Sequence, residues 1–100
     1  MEISELQAQV LEWARKDIGP DDQRRPHGVL VKMLGEVAEL FECPDDPLEV
    51  ADIFILMLDY CHLMGIDPVD SVLEKLDINN HRIWKADSRT GIISHVKKRD

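Results

Sequence analysis

The sequence predicts an all-α protein, a bundle of four helices followed by a short irregular tail. Two kinds of observation carry that prediction. Apolar residues recur at helical spacing through four segments, and the segments are bounded by glycine, proline and capping residues. The connectors between them are short, which makes successive helices antiparallel neighbours.

The first segment opens at Ser4, where Ser4 and Gln7 have the spacing of a capping box. Leu6, Val10 and Trp13 then share a face, and Gly19-Pro20 closes the helix. Asp21 to Pro26 is polar and reads as a loop. The second helix is expected from about His27 to Glu42, with Leu30, Met33, Leu34, Val37, Leu40 and Phe41 as its apolar stripe. Asp46 looks like the N-cap of a third helix with Pro47 at its first position. That helix runs to Met64 before Gly65. It is apolar on nearly every side, the pattern of a helix buried all round. Asp67-Pro68 starts a fourth helix in the same way, expected to reach Trp84. Asp87, Ser88, Thr90 and Gly91 are turn formers, so the tail from Lys85 is expected to hold a β-turn or hairpin.

One hundred residues suit a single domain over 1–100, with a helical core at about 3–84 and the tail at 85–100. A domain this small buries only about two thirds of its unfolded surface, which favours an oligomer. The net charge of −8 argues against a nucleic acid polymer or an anionic membrane as partner. The apolar run Ile53–Leu58 is far short of the roughly 20 residues that span a bilayer. The acidic N-terminal segment has no signal-peptide pattern. Cys43 and Cys61 lack a CxxC spacing, and reduced thiols fit a cytoplasmic protein.

Chemistry is concentrated in acidic pairs. Glu36 and Glu39 lie three apart on helix two, about 60° around its axis. Glu49 and Asp52 repeat that spacing on helix three, with Asp59 on nearly the same face. A short loop between antiparallel helices brings the pairs together. Asp52 interrupts an apolar run, where a lone carboxylate is costly to desolvate. Carboxylates converging on one spot repel unless a cation sits among them, and hard oxygen ligands suit magnesium first and manganese second. Plainer roles exist for the same residues. Glu49 could complete a capping box after Asp46, and Lys32 could give Glu36 an ordinary i, i+4 ion pair.

Lys75, Asn79 and Arg82, at i, i+4 and i+7, would share one face of helix four. Such donors suit phosphate oxygens and a sugar or base edge. They could equally balance an acidic surface, and Asn79-Asn80 could mark fraying. Trp84 could stack on a base or pack in the core. His62, His81 and His95 have no partner at metal-ligand spacing.

Three segments in order resemble the MazG-like all-α nucleoside triphosphate pyrophosphohydrolases. Lys32-Met-Leu-Gly-Glu36-Val-Ala-Glu39-Leu40 is similar to the family's first acidic motif, and Glu49-Val-Ala-Asp52 to its second. Lys75-Leu-Asp-Ile-Asn79-Asn-His-Arg82-Ile-Trp84 resembles the basic element that follows. The resemblance implies that Glu36, Glu39, Glu49 and Asp52 hold magnesium, or manganese. It implies that Glu36 or Glu39 handles the attacking water, and that Lys75, Asn79 and Arg82, with Lys32, meet a nucleoside triphosphate. Hydrolysis to a monophosphate and pyrophosphate in a homodimer or dimer of dimers is the corresponding expectation. Two departures stand out: Gly35 precedes Glu36 where the family often has a second Glu, and Glu39 to Glu49 is a short spacing. The rival classes are an acidic helical interaction module and a di-iron bundle, the latter offering only Asp59-xx-His62.

Overall fold

The computed structural model describes residues 1–99, which form two compact units, 1–68 and 69–99. The first unit contains α1 (Ile3–Asp17), α2 (Pro26–Glu42) and α3 (Pro47–Met64). Helices α1 and α2 both pack on α3. The second contains nearly all of α4 (Pro68–Asn80) and a hairpin of β1 (Arg82–Ala86) and β2 (Ile93–Lys98). No helix among the described residues is long and apolar enough to cross a membrane.

Helix α1 begins before Ser4. Its N-cap is Glu2, which makes no side-chain cap, so the expected Ser4–Gln7 box is not formed. Gln7 is used elsewhere, its amide donating to the Leu58 carbonyl of α3 at 2.9 Å. That bond, with Val10, Leu11 and Ala14 buried, fixes α1 against the middle of α3. Pro26 occupies the first turn of α2, where its missing N–H costs nothing. Helix α3 has the expected caps. Asp46 Oδ1 accepts from Leu48 N at 2.9 Å, and Gly65 (φ 67°) closes the C-terminus in the left-handed conformation. The Ile66 amide returns to the Cys61 carbonyl at 2.8 Å.

The buried core is small: Val10, Leu11, Ala14, Val29, Leu58 and Cys61. This overturns two expectations. The inner line of α2 is Val29, Met33, Glu36 and Leu40, because Glu36 and not an apolar residue is turned toward α3. Leu30, Leu34, Val37 and Phe41, one residue further on, form a second stripe that stays exposed. Helix α3 is not buried all round either, since Val50, Phe54 and Met57 are exposed on one face of this chain. Gly35 faces open space on α2, with nothing within 4 Å of where a Cβ would stand.

Helix α4 stops at Asn80, short of the expected Trp84. Two asparagines are poor helix formers, and Ile83 and Trp84 favour a strand. The helix end is closed by side chains from beyond it. The Asp77 carbonyl accepts from His81 Nδ1 at 2.7 Å, and Trp84 Nε1 donates to the Asn79 carbonyl at 3.0 Å. The strands are antiparallel, Trp84 opposite His95, with their rings edge to face at 5.6 Å. Asp87 Oδ1 accepts from the Arg89 and Thr90 amides, and Gly91 (φ 74°) completes the turn. The tail thus holds the expected hairpin, although it starts at Arg82.

Candidate functional site

The α2–α3 connector holds Cys43 to Asp46, so the two acidic pairs face each other across a tight turn. One carboxylate oxygen from each of Glu36, Glu49 and Asp52 lies within 4.8 Å of the others. Glu39 is not in that trio, but it is near enough to influence the Glu36 carboxyl. The expected four-carboxylate set is therefore a trio with a neighbour.

Burial within the trio differs from expectation. Glu36 is 6% exposed, Glu49 is half-buried and Asp52 is exposed. The i+1 offset of the α2 stripe causes this, because the turn that hides Val29 and Met33 also hides position 36. The desolvation argument made for Asp52 thus belongs to Glu36. Lys32 Nζ stands 3.0 Å from Glu36 Oε1, and that ammonium holds the Glu36 carboxyl below the usual carboxylate range against the upward push of burial. Glu49 has no such partner among the described residues. Burial pushes its carboxyl up, and the charges of Glu39, Asp46, Asp52 and Glu36 add to the shift. The capping-box role is not what occupies Glu49: its Oε2 is buried without a hydrogen bond, as is Glu36 Oε2.

Two orphaned buried oxygens, on carboxylates whose charges repel, fit a cation-binding site. An acid without a partner costs free energy that a divalent ion with oxygen ligands removes. Glu36, Glu49 and Asp52 could hold such an ion, with Glu39 at its edge.

A second polar group, on the same face of α3 as Asp52 and about two turns along, was not anticipated from the polar turn at 21–26. Arg24 is 4% exposed and Asp59 is 3% exposed. Arg24 Nε and Nη2 donate to Asp59 Oδ2 and Oδ1 at 3.1 and 2.7 Å. Its Nη1 donates to the Gly19 carbonyl at 2.8 Å and to Asp21 Oδ1 at 2.9 Å. Asp21 also accepts from Arg15, and His62 Nε2 donates to Asp21 Oδ2 at 2.8 Å. Arg15, then His62 and Arg24, hold the Asp21 carboxyl far below the usual range. The available signal was Asp59 itself, a third acid within the third helix, which needs a cation from somewhere. His62 is thereby a hydrogen-bonded residue at a helix end.

In the second unit, Lys75 and Asn79 lie on α4, but Arg82 is the first residue of β1. The expected i, i+4, i+7 helical face does not exist as such. Lys75 is exposed, Arg82 is half-buried, and Asn79 Oδ1 is buried without a hydrogen bond.

A family model described as dATP/dGTP pyrophosphohydrolase matches residues 6–100. The chain is 40% identical over 100 residues to a dATP/dGTP diphosphohydrolase of Cyanophage S-2L, covering 98% of this chain and 91% of that one. It is 36% identical over 84 residues to a dATP/dGTP diphosphohydrolase of Salmonella phage PMBT28, and there it spans 28% of the longer protein. Among solved structures, it superposes with a TM-score of 0.82 on a Cyanophage S-2L MazG-like pyrophosphohydrolase bound to dGDP and three catalytic Mn2+ ions per active site. Identity there is 38%, over 96% of this chain and 93% of the other.

Proposed function

The chain belongs to the dATP/dGTP pyrophosphohydrolase family, and from that premise we propose that its own substrates are dATP and dGTP, each cleaved to a monophosphate and pyrophosphate. Hydrolysis of a nucleotide pyrophosphate bond comes with the family. The purine substrates and the residue roles are the proposal. The observation that supports it most is the trio Glu36, Glu49 and Asp52, with two buried oxygens lacking any partner.

Glu36, Glu49 and Asp52 would hold the divalent metal, magnesium or manganese. When bound, the metal neutralises phosphate charge and acidifies water. Glu39, beside the trio and exposed, is positioned to accept the proton of the attacking water; Glu36, clasped by Lys32, keeps the ionised form a ligand needs. Water adds to the α-phosphorus, the bond to the β-phosphate oxygen breaks, pyrophosphate leaves with that electron pair, and the proton passes to Glu39. Lys32 carries an exposed ammonium beside Glu36 and would meet developing phosphate charge. Lys75, Asn79 and Arg82 are assigned to nucleotide contacts on their chemistry, two cations and an amide.

The exposed stripes Leu30, Leu34, Val37, Phe41 and Val50, Phe54, Met57 are apolar surface that monomers rarely leave in water. A homodimer or dimer of dimers that covers them is part of the proposal, as is a cytoplasmic location where nucleotides are held.

The test is pyrophosphate release from a panel of nucleoside triphosphates, with magnesium or manganese and with a chelator. Metal-dependent release from dATP and dGTP is expected. Release that survives chelation, or that Asp52→Asn leaves unchanged, would overturn the metal assignment.

A further inference from the structure

A cavity of about 370 Å3 opens in the helical unit between the turn after α1, the start of α2 and the side of α3. Its apolar wall is Ile18, Val29 and Leu56, and Gln23, Arg25 and Lys32 bring polar groups to it. The clasped pair Arg24 and Asp59 also lines it. The size falls within the roughly 300–1,000 Å3 of small-molecule sites, and apolar walls with few polar groups are their usual character.

Its position relates it to the carboxylates. Lys32 belongs to both, since its Nζ pairs with Glu36 Oε1. Lys32 precedes Glu36 by four residues on α2, and Leu56 follows Asp52 by four on α3. The cavity therefore lies about 6 Å, one helical turn, from the trio along both helices. With phosphates at the trio, a sugar can bridge that distance and a planar base can enter between Ile18, Val29 and Leu56.

The polar edge is formed by two neighbours of Arg24. Arg24 itself is spent on Asp59, Gly19 and Asp21. The side chains of Gln23 and Arg25 are exposed and make no hydrogen bond among the described residues. A Cβ at Gly19 would stand 3.4 Å from Gln23 Oε1, so the glycine leaves that amide room. A glutamine amide carries an acceptor on one side and a donor on the other, whereas arginine only donates. Adenine and guanine share the N7 acceptor and differ at position 6, an amino donor in one and a keto acceptor in the other.

We propose that this cavity takes the purine base, that Arg25 donates to the shared N7, and that the free Gln23 amide turns over to accept from the adenine amino group or donate to the guanine keto oxygen. This rests on the nucleotide hydrolysis proposed above. It gives a physical reason for one site to accept both purines, because a reversible amide satisfies either edge.

The experiment replaces the reversible group by one-sided ones at an exposed turn position. Gln23→Glu leaves only acceptors and Gln23→Lys only donors. The kcat/KM for dATP and for dGTP is measured on the full chain with manganese, and the ratio is read, so that any general effect of charge on phosphate binding cancels. The dGTP-to-dATP ratio is expected to fall about tenfold in Gln23→Glu and to rise about tenfold in Gln23→Lys. Should a variant turn over too slowly, binding of dAMP and dGMP by calorimetry must show the same opposed shifts. Ratios within about twofold of the parent in both variants, with metal-dependent hydrolysis intact, would overturn the base site and leave the activity standing. If the parent chain hydrolyses no nucleotide, the functional proposal fails, and the base site falls with it.

Discussion

Replacing Arg24 by alanine should unfold more of this protein than any other single surface-loop change. Arg24 lies in a polar turn, yet its side chain is 2% exposed and it makes four hydrogen bonds to three groups. The alanine variant leaves the Asp59 carboxylate, itself 5% exposed at the side chain, buried without a cation. Breaking one side of a buried pair typically costs about 3–5 kcal/mol, chiefly through the stranded charge. Domains of this size have about 5–15 kcal/mol in all. At about 4–8 °C per kcal/mol, the melting temperature should fall by at least about 12 °C. Urea and thermal melts of the parent, Arg24→Ala and the double variant Arg24→Met with Asp59→Leu would measure it. The double variant should recover most of the loss, because an apolar pair of similar volume removes both the desolvation and the stranded charge. A loss under about 1 kcal/mol in Arg24→Ala, or a double variant no better than the single, would refute this account of the clasp.

Asp52→Asn and Glu36→Gln should each lower metal-dependent pyrophosphate release by at least about 100-fold with far-UV circular dichroism retained; near-parental rates would show that the trio is not the ligand set. Glu49 has its pKa raised by burial, so the stability it supports is present below the ordinary carboxylate pKa and is lost as pH rises through the raised value. Thermal melts without metal should therefore fall over that interval, Glu49→Gln should flatten the fall, and added manganese should reverse it; a fall unaltered by Glu49→Gln would count against the orphaned carboxyl. Asp21 has its pKa lowered by Arg15, His62 and Arg24, so its contribution is present above the ordinary carboxylate pKa and is lost as pH drops below it. Asp21→Asn should make the acid limb of the stability curve shallower, which melts in acidic buffers would check. Leu34→Ser with Phe41→Ser should shift sedimentation toward a single chain; an unchanged sedimentation coefficient would place the subunit contact elsewhere.

The boundaries of α2 and α3 were legible because proline and glycine act locally. Asp46-Pro47 and Gly65 fix where α3 begins and ends whatever surrounds it, and Pro26, read as the end of the loop, opens α2 one residue before the expected start. The convergence of Glu36, Glu49 and Asp52 was legible for a similar reason, since helical spacing and a short connector leave few alternatives. What faced inward was not. The stripe through Leu30, Leu34, Val37 and Phe41 is the more hydrophobic line on α2, and α3 instead meets the line through Val29 and Glu36. A buried acid paired with a lysine one turn away outweighs a longer apolar row only in three dimensions. The Arg24–Asp59 clasp was invisible because its members are 35 residues apart and Arg24 sits in a turn that composition marks as solvated. Helix α4 was read too long because Lys75, Asn79 and Arg82 happen to keep helical spacing. The asparagine pair ends the helix before Arg82, and the strand-forming residues beyond it carry Arg82 into the hairpin.

Gly35 has a consequence for how this enzyme could change. A glycine within an exposed helix costs about 0.5–1 kcal/mol relative to alanine, and here a methyl group would meet no atom. Natural chains sit just above the stability they need, and substitutions that alter specificity usually erode it. Gly35→Ala is thus a ready source of tolerance in the helix that carries Glu36 and Glu39. A lineage, or a laboratory selection, that acquired it first could go on to accept destabilising changes around the nucleotide that the present sequence would not survive.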